Sequence, residues 1–244
     1  MCEAPARRLD EWRGWLDLPA PAPSSGTGPW LDLSHVITED LSRVPLVPAP
    51  RIRQVQKKPE YIANVTEVQM VVHNGTHLDA PCHFIADAPA IDDIPLERLY
   101  GEGVIWKLDM PDHGVIEPEH LEAATPRMRE GDIVYLDTGR GRHINTPAYE
   151  DHAHLSPEAA EWLVAHGAKI VGVDFSTPDL TAHLRPENFQ FPVHHILLGR
   201  GVLIAEHMTN LEPLSGRRIE TMFMAVNIGG SDGAPARVVA RPVD

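Results

Sequence analysis

Between positions 73 and 83 the chain reads HNGTHLDAPCH, which puts three imidazoles and a carboxylate in one short run. Neutral imidazole and carboxylate are donors that suit Zn2+ or Mn2+. His73, His77, Asp79 and His83 all fall on odd positions, so an extended chain would turn them to one face. A straight strand rises ~3.3 Å per residue, however, and would set His73 and His77 roughly 13 Å apart. Ligands of one ion lie about 2 Å from it, so the chain must bend between them. Gly75 can supply that bend, because glycine reaches backbone conformations that other residues avoid. Pro81 then restricts the approach to His83. A helix would also align His73 with His77, but Gly75 and Pro81 argue against one.

The chemistry follows from the donors. Two imidazoles and a carboxylate leave positions for water and substrate, and an ion so held lowers the pKa of water towards ~7 and polarises a carbonyl oxygen. His83, beside that water, is placed to move a proton between nucleophile and leaving group. The expected reaction is hydrolysis. A polar loop in a chain with 14 histidines would look much the same, and spacing alone does not separate the two. Cys82 has the opposite parity to the ligand face and is expected to pack behind it as a small apolar residue. No G-x-S-x-G segment points to a serine nucleophile.

Other polar residues have plainer readings. His152 and His154, near Asp151, read as a solvated loop ahead of the next helix rather than as a second metal cluster. Asp174 and Asp179 flank a turn that their carboxylates are expected to organise. His194 and His195 are adjacent on a predicted helix and so point in different directions. Glu206 leaves the apolar stretch VLIA, where a carboxylate marks either a pocket or simply the end of a strand.

The elements that must position these residues are short. Leu31–Ile37, Arg51–Gln56, Val65–Val72, Gly103–Leu108, Asp132–Asp137 and Lys169–Asp174 read as strands, as do Val202–Ala205, Met222–Ile228 and Arg237–Ala240. SPEAAEWLVAHG is the clearest helix: Ser156 caps it, Pro157 takes the first helical position, Glu158 complements the dipole and Gly167 ends it. A second helix is expected over Val193–Leu198, between Pro192 and Gly199. Strands outnumber helices and alternate with them, which predicts an α/β fold with a mixed sheet or barrel-like core and a few outer helices. Arg7–Leu18 has the spacing of a short amphipathic helix. The Pro/Ser/Gly stretch after it reads as a connector, so residues 1–29 are expected to form an arm and linker and residues 30–244 the main domain.

Composition narrows the partners. With 21 basic and 35 acidic residues the formal charge is −14, which repels nucleic acid and anionic membrane. Two cysteines in 244 residues provide no disulfide framework, the first residues carry charges where a signal peptide needs apolar ones, and no apolar run reaches the ~18 residues of a membrane span. The expectation is a cytoplasmic protein acting on a small molecule.

HNGTHLDAPCH also resembles the H-x-G-T-H-x-D-x-P-x-H signature of the cyclase-like metal hydrolases, the family that includes bacterial kynurenine formamidases and isatin hydrolases. LDLSHVI, GDIVYLDTG, SPEAAEWLVAHGAKIVGVDFSTPD, VHHILLGRGVLIAEHMTNLEPL and GGSDGAPARVVA resemble further family segments, from about Leu31 to the C-terminus. The resemblance implies a swivelling β/β/α fold, a homodimer or larger homo-oligomer, and one or two Zn2+ or Mn2+ ions per subunit. It assigns the first ion to His73, His77 and Asp79, the second to Asp79, His194 and Glu206, and acid/base catalysis to His83. His207 stands where many relatives have Asn, either bonding a ligand or substrate or as a neutral replacement. It further implies cleavage of an amide C–N bond in a small cyclic or aryl amide. SRVPLVPAP offers no aromatic residue where kynurenine formamidases carry a Trp-Pro-Gly stretch, which favours opening of an isatin-like lactam over deformylation of an N-formyl aryl amine. A metal-dependent lactonase or dehydratase is the nearest alternative, and a non-catalytic metal-binding protein is the rival of another class.

Overall fold

The computed structural model describes residues 14–19, 26–44 and 47–243. Its strands are β1 (Leu31–Asp32), β2 (Arg51–Gln56), β3 (Val65–Gln69), β4 (His77–Asp79), β5 (Tyr100–Lys107), β6 (Val115–Ile116), β7 (Ile133–Asp137), β8 (His154–Leu155), β9 (Ile170–Val173), β10 (Leu203–Glu206), β11 (Arg217–Ala225) and β12 (Gly233–Pro242). The helices are α1 (Pro118–Ala123), α2 (Pro157–Ala165) and α3 (Pro192–Leu198).

The largest sheet runs β1-β12-β11-β5-β7-β9-β10-β4, and β4 pairs back onto β12. That second pairing closes a mixed barrel, because β5, β7, β9 and β10 are parallel while the remaining pairs are antiparallel. The α/β barrel-like core expected from the alternation of elements is therefore present. β2 and β3 form a separate ribbon, and β6 pairs with β8.

Alternate residues of the parallel strands serve two cores. Val104, Trp106, Val134, Leu136, Val171, Val173 and Ile204 face outwards and pack under Ala159, Ala160 and Leu163 of α2 and Val193, Leu197 and Leu198 of α3. Ile105, Ile133, Tyr135, Ile170, Leu203 and Ala205 face inwards and meet Ile219, Phe223 and Val238 from β11 and β12. Burial on both faces explains why these strands read as near-continuous apolar runs. Ser156 caps α2 as expected, its side chain accepting from the Ala159 amide at 3.1 Å.

Several elements differ from expectation: the strand predicted over Val65–Val72 stops at Gln69, that over Met222–Ile228 begins five residues earlier and ends at Ala225, and that over Arg237–Ala240 extends to the whole of β12. The predicted strand over Leu31–Ile37 contracts to β1 and a single bridge from Ser34 to Met208. Pairing alone defines β4, which lies between a glycine turn and a proline and has too few residues for its periodicity to be visible. α1, β6 and β8 are similarly brief. Of the predicted helix over Arg7–Leu18, residues 7–13 lie outside the described residues, as does the 20–25 part of the predicted connector. The described stretch 14–19 is not helical, and Gly14 breaks it with φ 81°. This stretch packs on its own chain. The Arg98 guanidinium stacks 4.9 Å from the Trp15 ring centre and donates to the carbonyls of Leu16 and Gly201. No described helix is long and apolar enough to cross a membrane.

Inside the barrel, Tyr135 donates to Thr221 Oγ1 at 2.7 Å, and Thr221 in turn donates to the Val239 carbonyl at 3.0 Å. The Tyr135 ring fits because residue 172 has no side chain: a Cβ there would lie 2.6 Å from a ring carbon. Gly172→Ala is expected to lower the unfolding free energy by about 1–3 kcal/mol through overpacking. Urea denaturation reads this directly, and an unchanged midpoint would show that the ring has room to move.

Candidate metal centre

The bend required by the spacing occurs at Gly75, whose φ is 71°. A Cβ at that position would also lie 2.9 Å from Leu41 Cδ2, so a side chain there would displace Leu41 as well as strain the backbone. β4 begins two residues later, and its pairing fixes what faces what. His77 stands opposite Glu206 on one neighbour and Pro235 on the other; Asp79 stands opposite Ile204 and Gly233. Thr76 Oγ1 donates to the His207 carbonyl at 2.6 Å and accepts from the His35 amide at 2.9 Å, which locks this register.

The side chains converge on Asp79, which is fully buried. His77 Nδ1 donates to the Gly75 carbonyl at 2.8 Å, leaving Nε2 3.2 Å from Asp79 Oδ1 and 3.4 Å from Glu206 Oε2. His194 Nε2 lies 3.4 Å from Glu206 Oε1 and 3.8 Å from Asp79 Oδ2. His73 Nδ1 lies 2.8 Å from Asp79 Oδ1, and its Nε2 is 2.9 Å from Asp232 Oδ2. The His73 ring can lie against β12 only because residue 233 is glycine; a Cβ there would be 2.8 Å from His73 Cε1. His83 follows on a 3-10 turn, Pro81–His83, stacks on His73 with ring centres 4.1 Å apart, and shares Asp232 Oδ2 at 3.1 Å.

Electrostatics in this cluster favour positive charge. Burial alone would lower the pKa of His73, but hydrogen bonds and charge from Asp79 and Asp232 raise it to about 9. Burial is likewise outweighed at His194, which Asp179, Glu206 and Asp79 raise to about 10. Burial pushes the Asp79 carboxyl up, and the surrounding imidazoles His77, His83 and His73 hold it well below the usual range. His83 is lowered, first by burial and further by the charges of His73 and His194, against the pull of Asp79. His77 Nε2, Asp79 Oδ2 and Glu206 Oε1 are buried with no hydrogen-bond partner. Such atoms are costly to leave unanswered. Imidazole nitrogens and carboxylate oxygens that converge and lack protein partners fit a divalent ion, with donors of Asp79, His194 and Glu206 all within 4.8 Å of one another.

Asp179 does more than organise its turn. Its Oδ2 accepts from His194 Nδ1 at 2.6 Å and from the His194 amide at 3.1 Å, while Oδ1 accepts from the Val193 amide at 3.1 Å. It thus satisfies the first turn of α3 and fixes the tautomer of His194, leaving Nε2 facing the cluster. Asp174 does organise its loop, accepting from Thr138 and from the Gly141 amide. His207 sits in the left-handed region with φ 56° and is buried, its ring 5.8 Å from that of His77. Its Nδ1 pairs with the Tyr149 hydroxyl at 2.8 Å. Phe84 packs 4.6 Å from the His83 ring centre, 4.4 Å from that of His194 and 5.3 Å from that of Phe191. The Arg185 guanidinium lies 4.5 Å over Phe191. Aromatic faces therefore border the cluster although SRVPLVPAP holds none.

Residues 31–180 match the family model described as putative cyclase. The chain belongs to this family. It is 30% identical over 187 residues to the kynurenine formamidase of Bordetella avium (strain 197N), covering 76% of this chain and 84% of that one. It is 25% identical over 222 residues to the kynurenine formamidase of Bacillus thuringiensis (strain Al Hakam), covering 89% and 99%. Among solved structures, isatin hydrolase A from Ralstonia solanacearum superposes with a TM-score of 0.79 at 21% identity, covering 87% of this chain and 91% of that one.

In this cyclase-family chain the residues singled out from sequence, His73, His77, Asp79, His83, His194, Glu206 and His207, come together in one cluster. His195 is exposed, as its place on the helix predicts. Cys82 packs against both cores and donates from Sγ to the Ser231 carbonyl at 3.7 Å. His152 is not in a solvated loop. It is fully buried, stacks on Phe175 at 4.9 Å, and its Nε2 lies 3.0 Å from Ser176 Oγ. The sequence reading missed Asp232, a lone acid in a glycine-rich turn, and the roles of Asp179 and Tyr149. None of these has a local signal, since each meets its partner 15 to 159 positions away. Asp179→Asn is expected to weaken divalent-ion affinity 10–100-fold by loosening His194. Competition with a zinc chelator measures this, and an unchanged affinity would leave Asp179 as a helix cap only.

Proposed function

We propose that this protein is a divalent-metal-dependent amidohydrolase that cleaves the C–N bond of a small N-aryl amide. The observation that carries this reading is the convergence of His77 Nε2, Asp79 Oδ2 and Glu206 Oε1, all buried and unpartnered, beside an imidazole, His83, on the more open side. His73, His77 and Asp79 would hold one ion, and Asp79, His194 and Glu206 a second, with Zn2+ or Mn2+ the ions that suit such donors. An ion there supplies Lewis acidity towards a carbonyl oxygen and lowers the pKa of water.

The chain's own groups account for the remaining steps. Asp232 accepts from His83 Nδ1 and so leaves Nε2 to take a proton from the attacking water and deliver it to the departing nitrogen. Burial keeps His83 disposed to be neutral, the form able to accept that proton. A structural metal site would be closed by protein ligands. Here the His83 and Asp232 side chains remain 26% and 48% exposed, which leaves a path for substrate. Tyr149 orients His207 behind the cluster, where a ring nitrogen of His207 joins His77 and Glu206 within 4.8 Å.

Substrate class rests on the aromatic border. Phe84 and Phe191, with Arg185 over the latter, offer faces for an aryl ring next to His83 and His194. Isatin-type lactams and N-formyl aryl amines share the same reacting unit, a carbonyl on an arylamine nitrogen. The kynurenine formamidase relatives support that unit. The lack of an aromatic residue in SRVPLVPAP no longer weighs against the open-chain amide, because other segments supply the aromatic faces.

EDTA is expected to abolish turnover of isatin or N-formylkynurenine, and Zn2+ or Mn2+ to restore it. His83→Ala is expected to lower kcat by about 10²–10⁴-fold while bound metal, read by elemental analysis, stays at the wild-type level. Hydrolysis of a simple lactone with neither amide turned over would overturn the amide assignment. Full turnover by the alanine variant would remove His83 from the proton path.

A further inference from the structure

A second group of donors lies apart from the centre just described. His113 Nε2 is 3.6 Å from Asp151 Oδ1, and the His113 and His183 rings stand 5.3 Å apart at 72°. One donor atom from each of the three residues falls within 4.8 Å of the other two. We propose that His113, Asp151 and His183 form an independent surface site for a first-row transition ion, Zn2+ foremost. This assignment does not rest on the hydrolytic reading.

The geometry matches an ion better than the contacts that are made. Donors about 2 Å from a tetrahedral ion stand roughly 3.4 Å from one another, close to the His113–Asp151 separation. That separation is longer than a hydrogen bond, and His113 Nδ1 is buried with no partner. Neither nitrogen of this imidazole is satisfied by the protein. Besides its edge contact with His113, the His183 ring makes one weak hydrogen bond, Nδ1 at 3.4 Å from Thr181 Oγ1.

The three residues come from separate segments that the backbone already holds together. The His113 amide donates to the Asp151 carbonyl at 3.2 Å, and the His154 amide donates to the Gly114 carbonyl at 3.0 Å where β6 meets β8. Thr181, two residues before His183, donates to Glu150 Oε2 at 3.4 Å. Little ordering is therefore left for an ion to impose, which favours affinity. Two imidazoles and a single carboxylate suit Zn2+, Ni2+ or Cu2+ and not the oxygen-seeking Mg2+ or Ca2+. With three protein ligands, water completes the shell.

The position gives such an ion a consequence. Asp151 lies two residues after Tyr149, which holds His207, and His183 lies two residues before Arg185, which covers Phe191. An ion joining Asp151 to His183 would clamp together two segments that border the candidate active site.

Zinc bound per subunit, measured by elemental analysis after equilibrium dialysis of the full chain against buffered Zn2+, tests the proposal. His113→Asn keeps a residue that tolerates the left-handed backbone at position 113, where φ is 56°. His183→Gln changes an exposed side chain and guards against misfolding of the first variant. Each is expected to bind one zinc fewer than wild type, while His166→Gln, an exposed histidine elsewhere, binds the full number. His77→Ala, in the other centre, should still lose that same one zinc when His183→Gln is added. Excess Mg2+ should not displace the zinc. Wild-type zinc content in both His113→Asn and His183→Gln would overturn the site.

Discussion

Asp79 is a carboxylate taken wholly out of water, and the architecture around it answers that burial. A lone buried anion is expensive. Here three imidazoles approach it, from His73, His77 and His194, and a second buried acid, Glu206, stands opposite His77. Asp179 and Asp232 then grip the far sides of His194 and His73. The result is a pocket whose field draws in positive charge, expressed in the raised pKa values of His73 and His194. A divalent ion meets the same demand and brings catalytic chemistry with it.

The barrel makes this cluster possible by the way it closes. β4 is only three residues long, yet it pairs with β10 on one side and β12 on the other. The same three residues seal the ring and carry His77 and Asp79 into the donor cluster, so the geometry of the candidate centre and barrel closure share one set of hydrogen bonds. Two glycines keep the arrangement compact: Gly75 turns the chain into the strand, and Gly233 lets the His73 ring lie against β12. α3 contributes His194 from outside the sheet, held to the turn after β9 by Asp179.

Much of this was legible beforehand because its signals are local. The runs that became β2, β5, β7, β9 and β10 announce themselves by β-branched and apolar residues, and α2 by its cap, proline and terminal glycine. The odd-numbered donors around Gly75 require a bend, which the φ of 71° at that glycine supplies. Short pairings such as β6 with β8, and the shrinkage of the first predicted strand to two residues, depend on distant partners. His152 illustrates the same limit: its polar neighbours suggested a solvated loop, whereas Phe175 and Ser176 bury it.

The sequence by itself determined the donor types, their spacing, the bend and the family, because these reside in contiguous residues and their backbone preferences. Only the tertiary structure decided that Glu206 faces His77, that Asp179 and Asp232 orient His194 and His73, and that Phe84 and Phe191 border the cluster. It alone brought Asp151 to His113 and His183. Those meetings join positions up to 159 residues apart, and they are set by strand register and barrel closure, which no local pattern encodes.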